Sequence, residues 1–219
     1  MQALITGGAG FIGHHLVRRL LERGDTAVVL DDFSTGVRER LAPYRERVSV
    51  IEGSITEGAS LDEAMSGCDL VFHEAAMASV ERSLADPILA NEINVAGTIR
   101  VLSSAARQGV QRVVFASSSA VYGVPETLPC REEMRPAPLS PYGASKLAGE
   151  AYLHSLGRYI GVETVALRYF NVFGPGQDPT SDYAAVIPLF IKAALEGRQP
   201  VINGDGSITR DFIYVDDVV

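Results

Sequence analysis

The segment QALITGGAGFIG, residues 2–13, decides the fold of this chain. Its first five residues favour a β-strand, and an amphipathic helical pattern follows Gly13. Between them, Gly7, Gly10 and Gly13 allow a tight turn and let backbone N–H groups approach a phosphate closely. The start of the following helix adds partial positive charge. The segment therefore predicts a strand–turn–helix unit that binds a dinucleotide, although a plain glycine-rich turn is the alternative.

Short apolar segments alternate with amphipathic segments over the next 150 residues. Continuous apolar strands separated by helices are typical of a parallel sheet covered on both faces. We therefore predict an α/β fold with a doubly wound parallel sheet, the Rossmann fold. The predicted strands are Gln2–Thr6, Thr26–Leu30, Val48–Glu52, Leu70–His73, Val113–Ala116 and Thr164–Leu167, and the predicted helices include Phe11–Arg23, Ile88–Gln108 and Pro141–Tyr159.

The composition changes after Leu167. Residues 168–181 are rich in Gly, Pro, Asn and Asp and are predicted to be a loop. A helix at about 184–195 and strands at 200–203 and 212–215 are predicted beyond it. We expect an NAD-binding domain at residues 1–170 and the start of a smaller substrate lobe at 171–219. Asp216 and Asp217 resemble the start of a helix close to the last residue, so we expect a truncated lobe.

Bulk properties restrict the class of protein. The 219 residues are 47% hydrophobic and 21% charged, which is typical of a soluble globular protein. A net charge of −8 argues against nucleic acid or an anionic membrane as the partner. Two isolated cysteines and four histidines without ligand spacing predict no disulfide scaffold and no metal site. The absence of a long apolar segment predicts a cytoplasmic protein without a signal peptide.

Asp31 provides a second signal for the cofactor. It ends the second predicted strand, 24 residues after Gly7, where an acidic side chain accepts hydrogen bonds from the adenosine ribose. A carboxylate at this place repels a 2′-phosphate, so NAD is favoured over NADP. A solvated aspartate without this role is the alternative.

Tyr142 and Lys146 are the candidate catalytic pair. Ser140 suits the cap of a helix and Pro141 its first position, so Tyr142 and Lys146 lie one turn apart on one face. The lysine cation and the positive ring of NAD⁺ would stabilise the tyrosine phenolate and lower its pKa. Tyr142 would then take a proton from a sugar hydroxyl as hydride leaves the carbon. An ordinary helix with exposed Tyr and Lys is the alternative.

The stretch SSSAVYG, residues 117–123, directly follows a predicted strand. Strand ends in this fold face the ligand crevice, so a serine hydroxyl here would bond the reacting oxygen and share its proton with Tyr142. A serine-rich turn is the alternative.

These motifs together resemble the extended short-chain dehydrogenases of the NAD-dependent epimerase/dehydratase family. The resemblance covers essentially the whole chain; it includes DDFSTG from Asp31, the HEAA motif from His73, NVAGT from Asn94 and the RYFNVFGP motif from Arg168. It implies that NAD is bound by Gly7, Gly10, Phe11, Ile12, Gly13, Asp31, Asp32, Ser54, Ile55, Ala75, Ala76, Asn94, Ser117, Tyr142, Lys146 and Tyr169.

The same resemblance implies the substrate contacts. Ser118, three positions before Val121, is the serine that the family uses beside Tyr142. Asn171 and Arg210 would hold the diphosphate of a UDP-sugar, and Asn203 would lie near the uracil. Family members usually form homodimers through two long helices, here those within 88–108 and 141–159. Ser54 and Glu74 depart from the family's usual residues, which are Asp and an apolar or amide residue.

Ser119 and Ala120 bear on the reaction. Related dehydratases have Asp-Glu immediately before Val-Tyr-Gly, and this chain has no titratable group at those two positions. A base, a cofactor and a serine suffice for reversible oxidation at C4, so we expect a 4-epimerase that acts through a transient 4-keto intermediate. UDP-glucose and UDP-N-acetylglucosamine are the expected substrates, with UDP-glucuronate still open. A nucleotide-sugar reductase or dehydrogenase, a non-catalytic NAD-binding regulator and a truncated fragment without turnover are the alternatives.

Overall fold

The computed structural model of the chain describes residues 1–179, 185–202 and 204–219. These residues form two compact units, Met1–Tyr169 and Phe170–Val219.

A six-stranded sheet of parallel neighbours forms the centre of the first unit. Its strands are β1 Gln2–Thr6, β2 Thr26–Asp31, β3 Val48–Glu52, β4 Leu70–His73, β5 Arg112–Ser118 and β6 Glu163–Tyr169. Their order in the sheet is β3-β2-β1-β4-β5-β6, so β1 lies between β2 and β4 and the winding direction reverses there. Ligands of such sheets bind beyond the carboxyl ends of the strands at this reversal. The predicted doubly wound fold is therefore confirmed.

Helices connect these strands. The first unit contains α1 Phe11–Glu22, α2 Gly58–Met65, α3 Val80–Ala85, α4 Pro87–Asn91, α5 Gly97–Gln108 and α6 Pro141–Ile160. A wider, π-type turn at Glu92–Ala96 joins α4 to α5, and 3-10 turns lie at Arg38–Arg40, Ala42–Tyr44 and Ser119–Tyr122. Among the residues that the structure describes, no helix combines the length and the apolar character that crossing a membrane requires.

The first turn of α6 has the predicted cap. The Ser140 hydroxyl accepts a hydrogen bond from the Gly143 N–H at 3.1 Å, and Pro141 occupies the first helical position. At the other end, Gly161 has a φ of 73° and ends the helix in the left-handed conformation that glycine favours. These caps fix where the helix begins, and thereby place Tyr142 in its first turn.

The hydrophobic core of the first unit lies between the sheet and helices α2 and α5. Strand side chains such as Leu4, Val71 and Phe115 are at most 1% exposed, and they belong to the same buried cluster as Leu61 and Val101 on the helices. Dense packing of this kind holds the strands rigidly, and so fixes the positions of the side chains at their carboxyl ends.

The second unit pairs two short parallel strands, β7 Asn171–Phe173 and β8 Phe212–Tyr214, with helices α7 Val186–Leu195 and α8 Val215–Val218. The prediction of a loop from residue 168 is wrong for its first part. Arg168 and Tyr169 continue β6, and residues 171–173 form β7, because the Gly- and Pro-rich composition begins only at Gly174.

The predicted strand at 200–203 is also wrong. Residues 200–202 are not in a strand, and the side chains of Val201 and Ile202 are 79% and 60% exposed. A strand needs a partner to satisfy its backbone groups, and these residues pair with none of the described strands. Asn203 lies outside the described residues.

Replacing Val101 with alanine tests the assigned core. Val101 is fully buried in α5, so Val101→Ala should lower the free energy of unfolding by about 2 kcal/mol through two lost methyl groups and the cavity they leave. The matched variant Val124→Ala, at a residue that is 77% exposed, should change it by less than about 0.5 kcal/mol. Urea unfolding followed by circular dichroism measures both, and equal losses would contradict the core assignment.

Candidate active site

The glycine turn after β1 lies against the start of α1 and the segment that follows β4. Gly7 has a φ of 71°, and a Cβ atom there would lie 2.8 Å from the backbone nitrogen of Ala75. A Cβ on Gly13 would overlap the carbonyl oxygen of Gly7. The turn therefore requires glycine at both positions, and it leaves room in front of the free N–H groups of α1.

A cavity of about 300 Å³ opens at these strand ends. Its walls contain the glycine turn, the ends of β2 and β3, and the residues after β4. A dinucleotide fits this arrangement, since glycines and a helix N-terminus meet its diphosphate and an acidic strand end meets its ribose. Eleven of the predicted NAD-binding residues line the cavity: Gly7, Gly10, Phe11, Ile12, Gly13, Asp31, Asp32, Ser54, Ile55, Ala75 and Ala76.

Asp31 holds the glycine turn as well as facing the cavity. One carboxylate oxygen accepts from the Ala9 N–H at 2.9 Å, and the other accepts from the Phe33 N–H at 2.8 Å. Burial raises the pKa of this carboxyl group, and the two backbone N–H groups oppose the shift. Each oxygen keeps further acceptor capacity for a ribose hydroxyl. Phe33 has a φ of 56°, a strained conformation for a bulky residue, directly beside this contact.

Tyr142, Lys146 and Ser118 meet beside the carboxyl end of β5. The Lys146 side chain is 3% exposed, and its Nζ donates to the Ala116 carbonyl oxygen at 2.7 Å and lies 6.0 Å from the centre of the Tyr142 ring. The Ser118 hydroxyl interacts with the phenol oxygen of Tyr142 through a hydrogen bond that favours the phenolate. The structure thus brings together the three residues assigned to catalysis.

The expected lowering of the Tyr142 pKa by Lys146 is wrong for the protein's own groups. Burial raises the pKa of Tyr142, Glu74 raises it further, and the Ser118 hydrogen bond only partly opposes them. The Lys146 cation directs a proton to the Ala116 carbonyl instead of the phenol. Burial also lowers the pKa of Lys146, to about 8. The positive ring of bound NAD⁺ is the remaining source of stabilisation for the phenolate.

Glu74 is a further charged group at this end of the cavity. It lines the cavity and accepts a hydrogen bond from the Tyr169 hydroxyl at 3.1 Å. Burial raises the pKa of Glu74 to about 7, while Tyr169 and the Lys146 cation act to lower it. The sequence marks Glu74 as unusual for its position but assigns it no role, because its nearness to Lys146 and Tyr169 depends on the fold.

Comparison with known proteins identifies the family. Residues 3–219 match the model of the family described as "NAD dependent epimerase/dehydratase family". The chain belongs to this family. NAD is therefore the cofactor, as predicted.

Three similar proteins represent the relatives of this epimerase/dehydratase chain. A putative UDP-glucose 4-epimerase of Methanocaldococcus jannaschii is 43% identical over 98% of this chain and 70% of its own length. The structure of a UDP-N-acetylglucosamine 4-epimerase from Methanobrevibacter ruminantium, in complex with UDP-N-acetylmuramic acid, has a TM-score of 0.94 at 43% identity and covers 99% of this chain and 70% of its own. A UDP-glucose 4-epimerase from Thermus thermophilus, in complex with NAD, has a TM-score of 0.89 at 40% identity, over 100% of this chain and 72% of its own.

The Asn94 side chain forms hydrogen bonds with other residues of this chain. The residue is 2% exposed in the wider turn between α4 and α5, the kind of irregularity often found at functional sites. Its amide accepts from the Met77 N–H at 2.8 Å and donates to the Met77 carbonyl and to the Ser145 hydroxyl. The side chain thus links the cavity wall to α6, and its contact with NAD stays a prediction.

Ser117 is likewise turned inward. It is 2% exposed, and its hydroxyl donates to Glu150, one helical turn beyond Lys146. Glu150 also receives two hydrogen bonds from the Arg168 guanidinium, at 2.9 and 2.8 Å, which hold the pKa of Glu150 below its usual value. The Ser117 hydroxyl therefore helps to fix α6 against β5 and β6, and its contact with NAD stays a prediction.

The predicted substrate residues of the second unit are partly engaged. The Asn171 side chain donates to the Asp211 carbonyl at 2.8 Å, so it ties β7 to the start of β8. Arg210, the neighbour of Asp211, is exposed, with one guanidinium nitrogen 2.8 Å from the Thr209 carbonyl. Asn171 and Arg210 thus lie close together within this unit. Asn203, predicted beside the uracil, lies outside the described residues.

Cys68 and Cys130 are both free thiols. Within residues 1–179, 185–202 and 204–219, no three His, Cys, Asp or Glu side chains come close enough together to hold a metal ion.

Asp31→Asn should weaken NAD binding. The amide offers one acceptor oxygen in place of two, so it loses one backbone N–H group and disturbs the ribose contact, which corresponds to roughly 10- to 100-fold in Kd. The control Glu39→Gln removes the same charge from an exposed position on the 3-10 turn nearby. Calorimetric titration with NAD⁺ measures both variants, and an unchanged Kd for Asp31→Asn would exclude Asp31 from the site.

Proposed function

We propose that the chain is the catalytic part of a UDP-hexose 4-epimerase. The observation that carries the proposal is the meeting of Tyr142, Ser118 and Lys146 next to a dinucleotide cavity. In this proposal the first unit binds NAD and the second contributes to substrate binding. The residues assigned in the sequence to NAD and to the substrate keep those roles in this proposal.

Tyr142 is the proposed base. In its phenolate form it removes the proton from the sugar 4-hydroxyl, and the Ser118 hydroxyl holds the reacting oxygen within reach. Bound NAD⁺ would supply the hydride acceptor for C4 and the hydride donor for the return step, and its positive ring would stabilise the phenolate. The 4-keto sugar turns over in the site, and Tyr142 gives its proton back to the oxygen when the opposite face of C4 is reduced. Lys146, anchored on the Ala116 carbonyl, lies on the same helix face as Tyr142 and adds a positive charge to the site.

The residues after Ser118 favour epimerisation over dehydration. Loss of water from the 4-keto sugar needs an added acid and base near C5 and C6, and Ser119 and Ala120 supply neither. A nucleotide-sugar reductase uses the same trio but consumes free cofactor, so it remains the second candidate.

Two hexoses are proposed as substrates, glucose and N-acetylglucosamine, both linked to UDP. The similar proteins named above include epimerases of each kind, and the chain aligns with them at comparable identity. Incubating the chain and NAD⁺ separately with UDP-glucose, UDP-N-acetylglucosamine and UDP-glucuronate tests this choice by NMR. A C4 epimer supports the proposal and names the substrate. A reduced or oxidised sugar that appears with equimolar change in free cofactor favours the reductase, and no conversion of any sugar contradicts a catalytic chain.

Tyr142→Phe should lower kcat by about 10²- to 10⁴-fold, because it removes the base and keeps the ring. NAD binding should change little, since the phenol oxygen is engaged mainly with Ser118. The matched control is Tyr152→Phe on the same helix, at a side chain that is 41% exposed. Normal turnover in Tyr142→Phe, measured by the NMR assay, would remove Tyr142 from the mechanism.

A homodimer through the helices within residues 88–108 and 141–159 is also proposed. Ile88 is 82% exposed and Tyr159 on α6 is 88% exposed, so both segments carry apolar surface that a second copy would cover. Pairing these helices between two copies would bury both. Sedimentation equilibrium should give twice the chain mass for the wild type and a shift towards the monomer for Ile88→Glu. A monomeric wild type at micromolar concentration would contradict the dimer.

A further inference from the structure

Glu74 is held firmly at the edge of the cofactor cavity. Its own N–H donates to the carbonyl oxygen of Thr6 at 3.2 Å, and the N–H of Ala75 donates to the Thr6 hydroxyl, also at 3.2 Å. The backbone on both sides of Glu74 is therefore fixed to the end of β1, and the carboxyl group lines the cavity.

The partners of Glu74 place it at the reactive end of this cavity. Tyr169 donates to it, and the Lys146 cation and the Tyr142 phenol both interact with its charge. Asp31, at the ribose end, instead interacts with Asp32 and Arg38. Glu74 thus faces the residues that act on the sugar and the nicotinamide.

The balance of forces on Glu74 makes it sensitive to one nearby charge. Burial raises the pKa of Glu74 to about 7, against the opposing influence of Tyr169 and Lys146. A carboxyl group with this pKa is half ionised near neutral pH. The oxidised nicotinamide ring carries a positive charge and the reduced ring carries none, and a unit charge a few ångströms away moves a pKa by at least about one unit.

We propose that Glu74 is a proton-binding residue that follows the charge of the nicotinamide ring. The carboxylate is ionised beside the oxidised ring and takes a proton from solvent when the ring is reduced. The hydride and its two electrons pass between sugar C4 and the ring, so this proton is separate from the one that Tyr142 removes. It returns to solvent when the hydride goes back to the sugar. The inference rests on the proposed function, which puts the nicotinamide beside Tyr142 and Lys146.

The ionisable groups near Glu74 decide which other residue could bind this proton. His73, the preceding residue, bonds Thr6 and Thr98, and its pKa is lowered by burial to about 3, so it stays neutral. Burial and Glu74 raise the pKa of Tyr169, so it also stays neutral. Arg82 lines the cavity as a permanent cation. Two other groups compete for the proton, Lys146, with a pKa lowered to about 8, and Tyr142, whose phenolate the oxidised ring stabilises, and the experiment has to separate both from Glu74.

Calorimetric titration of the NAD-free Tyr142→Phe variant with NAD⁺ and with NADH tests the proposal, because this variant lacks the phenol whose ionisation the ring charge also affects. Each titration is run in two buffers of different ionisation enthalpy, which gives the number of protons bound or released. The two ligands share the same diphosphate and the same burial of the cavity, so the difference between them isolates the ring charge. At pH 7, NADH binding should take up about half a proton more than NAD⁺ binding, and the difference should fall towards zero about two units away on either side.

In this background, Glu74→Gln should abolish the difference, because the amide does not titrate but still accepts from Tyr169. Glu39→Gln, at an exposed position on the 3-10 turn, should retain it. A difference that persists in Glu74→Gln and disappears in Lys146→Met would assign the proton to Lys146 and overturn the proposal. Equal proton numbers for the two ligands in the Tyr142→Phe variant would overturn it as well.

The outcome is independent of turnover. These titrations contain no sugar, so a redox-linked proton at Glu74 together with no epimer in the NMR assay would reject the epimerase and keep the proton site. An active epimerase with equal proton numbers for the two ligands would keep the proposed function and reject the proton site at Glu74.

Discussion

The parallel pairing of β1 with β4, and of β4 with β5, is the constraint on which the site depends. Thr6 is paired in register with His73, and His73 with Phe115, so these three strands bring their carboxyl ends to one edge. Residues far apart in the sequence meet there because the backbone hydrogen bonds leave no freedom of register. A slip of one residue would turn Thr6 and His73 towards the opposite face and separate the glycine turn from Glu74.

Two buried ionisable side chains lie at this edge of the sheet. A lysine and a carboxyl group are both largely removed from water there, and each is costly in its ionised form unless partners compensate. Lys146 has the Ala116 carbonyl, and Glu74 has the Tyr169 hydroxyl and the field of Lys146. Their pKa values move towards neutrality from opposite directions. The arrangement therefore keeps protons exchangeable near neutral pH, which suits the proposed transfer of a proton and a hydride in both directions.

Local patterns in the sequence suffice for most of the fold and for part of the site. The Gly7–Gly13 turn, the Ser140 cap and the spacing of Tyr142 and Lys146 are short-range features, and the structure contains each of them. The engagement of Asn94 with Met77 and Ser145 depends on contacts between distant segments, which a pattern does not encode. The same holds for the Glu74–Tyr169 hydrogen bond, which joins residues 95 positions apart. The predicted loop begins too early, at residue 168, because the glycine and proline residues from Gly174 onward dominate the composition of the whole segment.

Arg168 connects parts of the first unit that the sheet alone does not connect. Its guanidinium binds Glu150 on α6, donates to the carbonyl of Glu132 and stacks on the Tyr122 ring at 4.8 Å. One side chain near the end of β6 thus holds both the helix that bears Tyr142 and the turn that follows Ser118. None of these contacts involves β1 or its glycine turn. The Tyr142–Ser118 pair and the glycine turn are therefore anchored separately, so that a change at Arg168 would displace the pair and leave the turn in place.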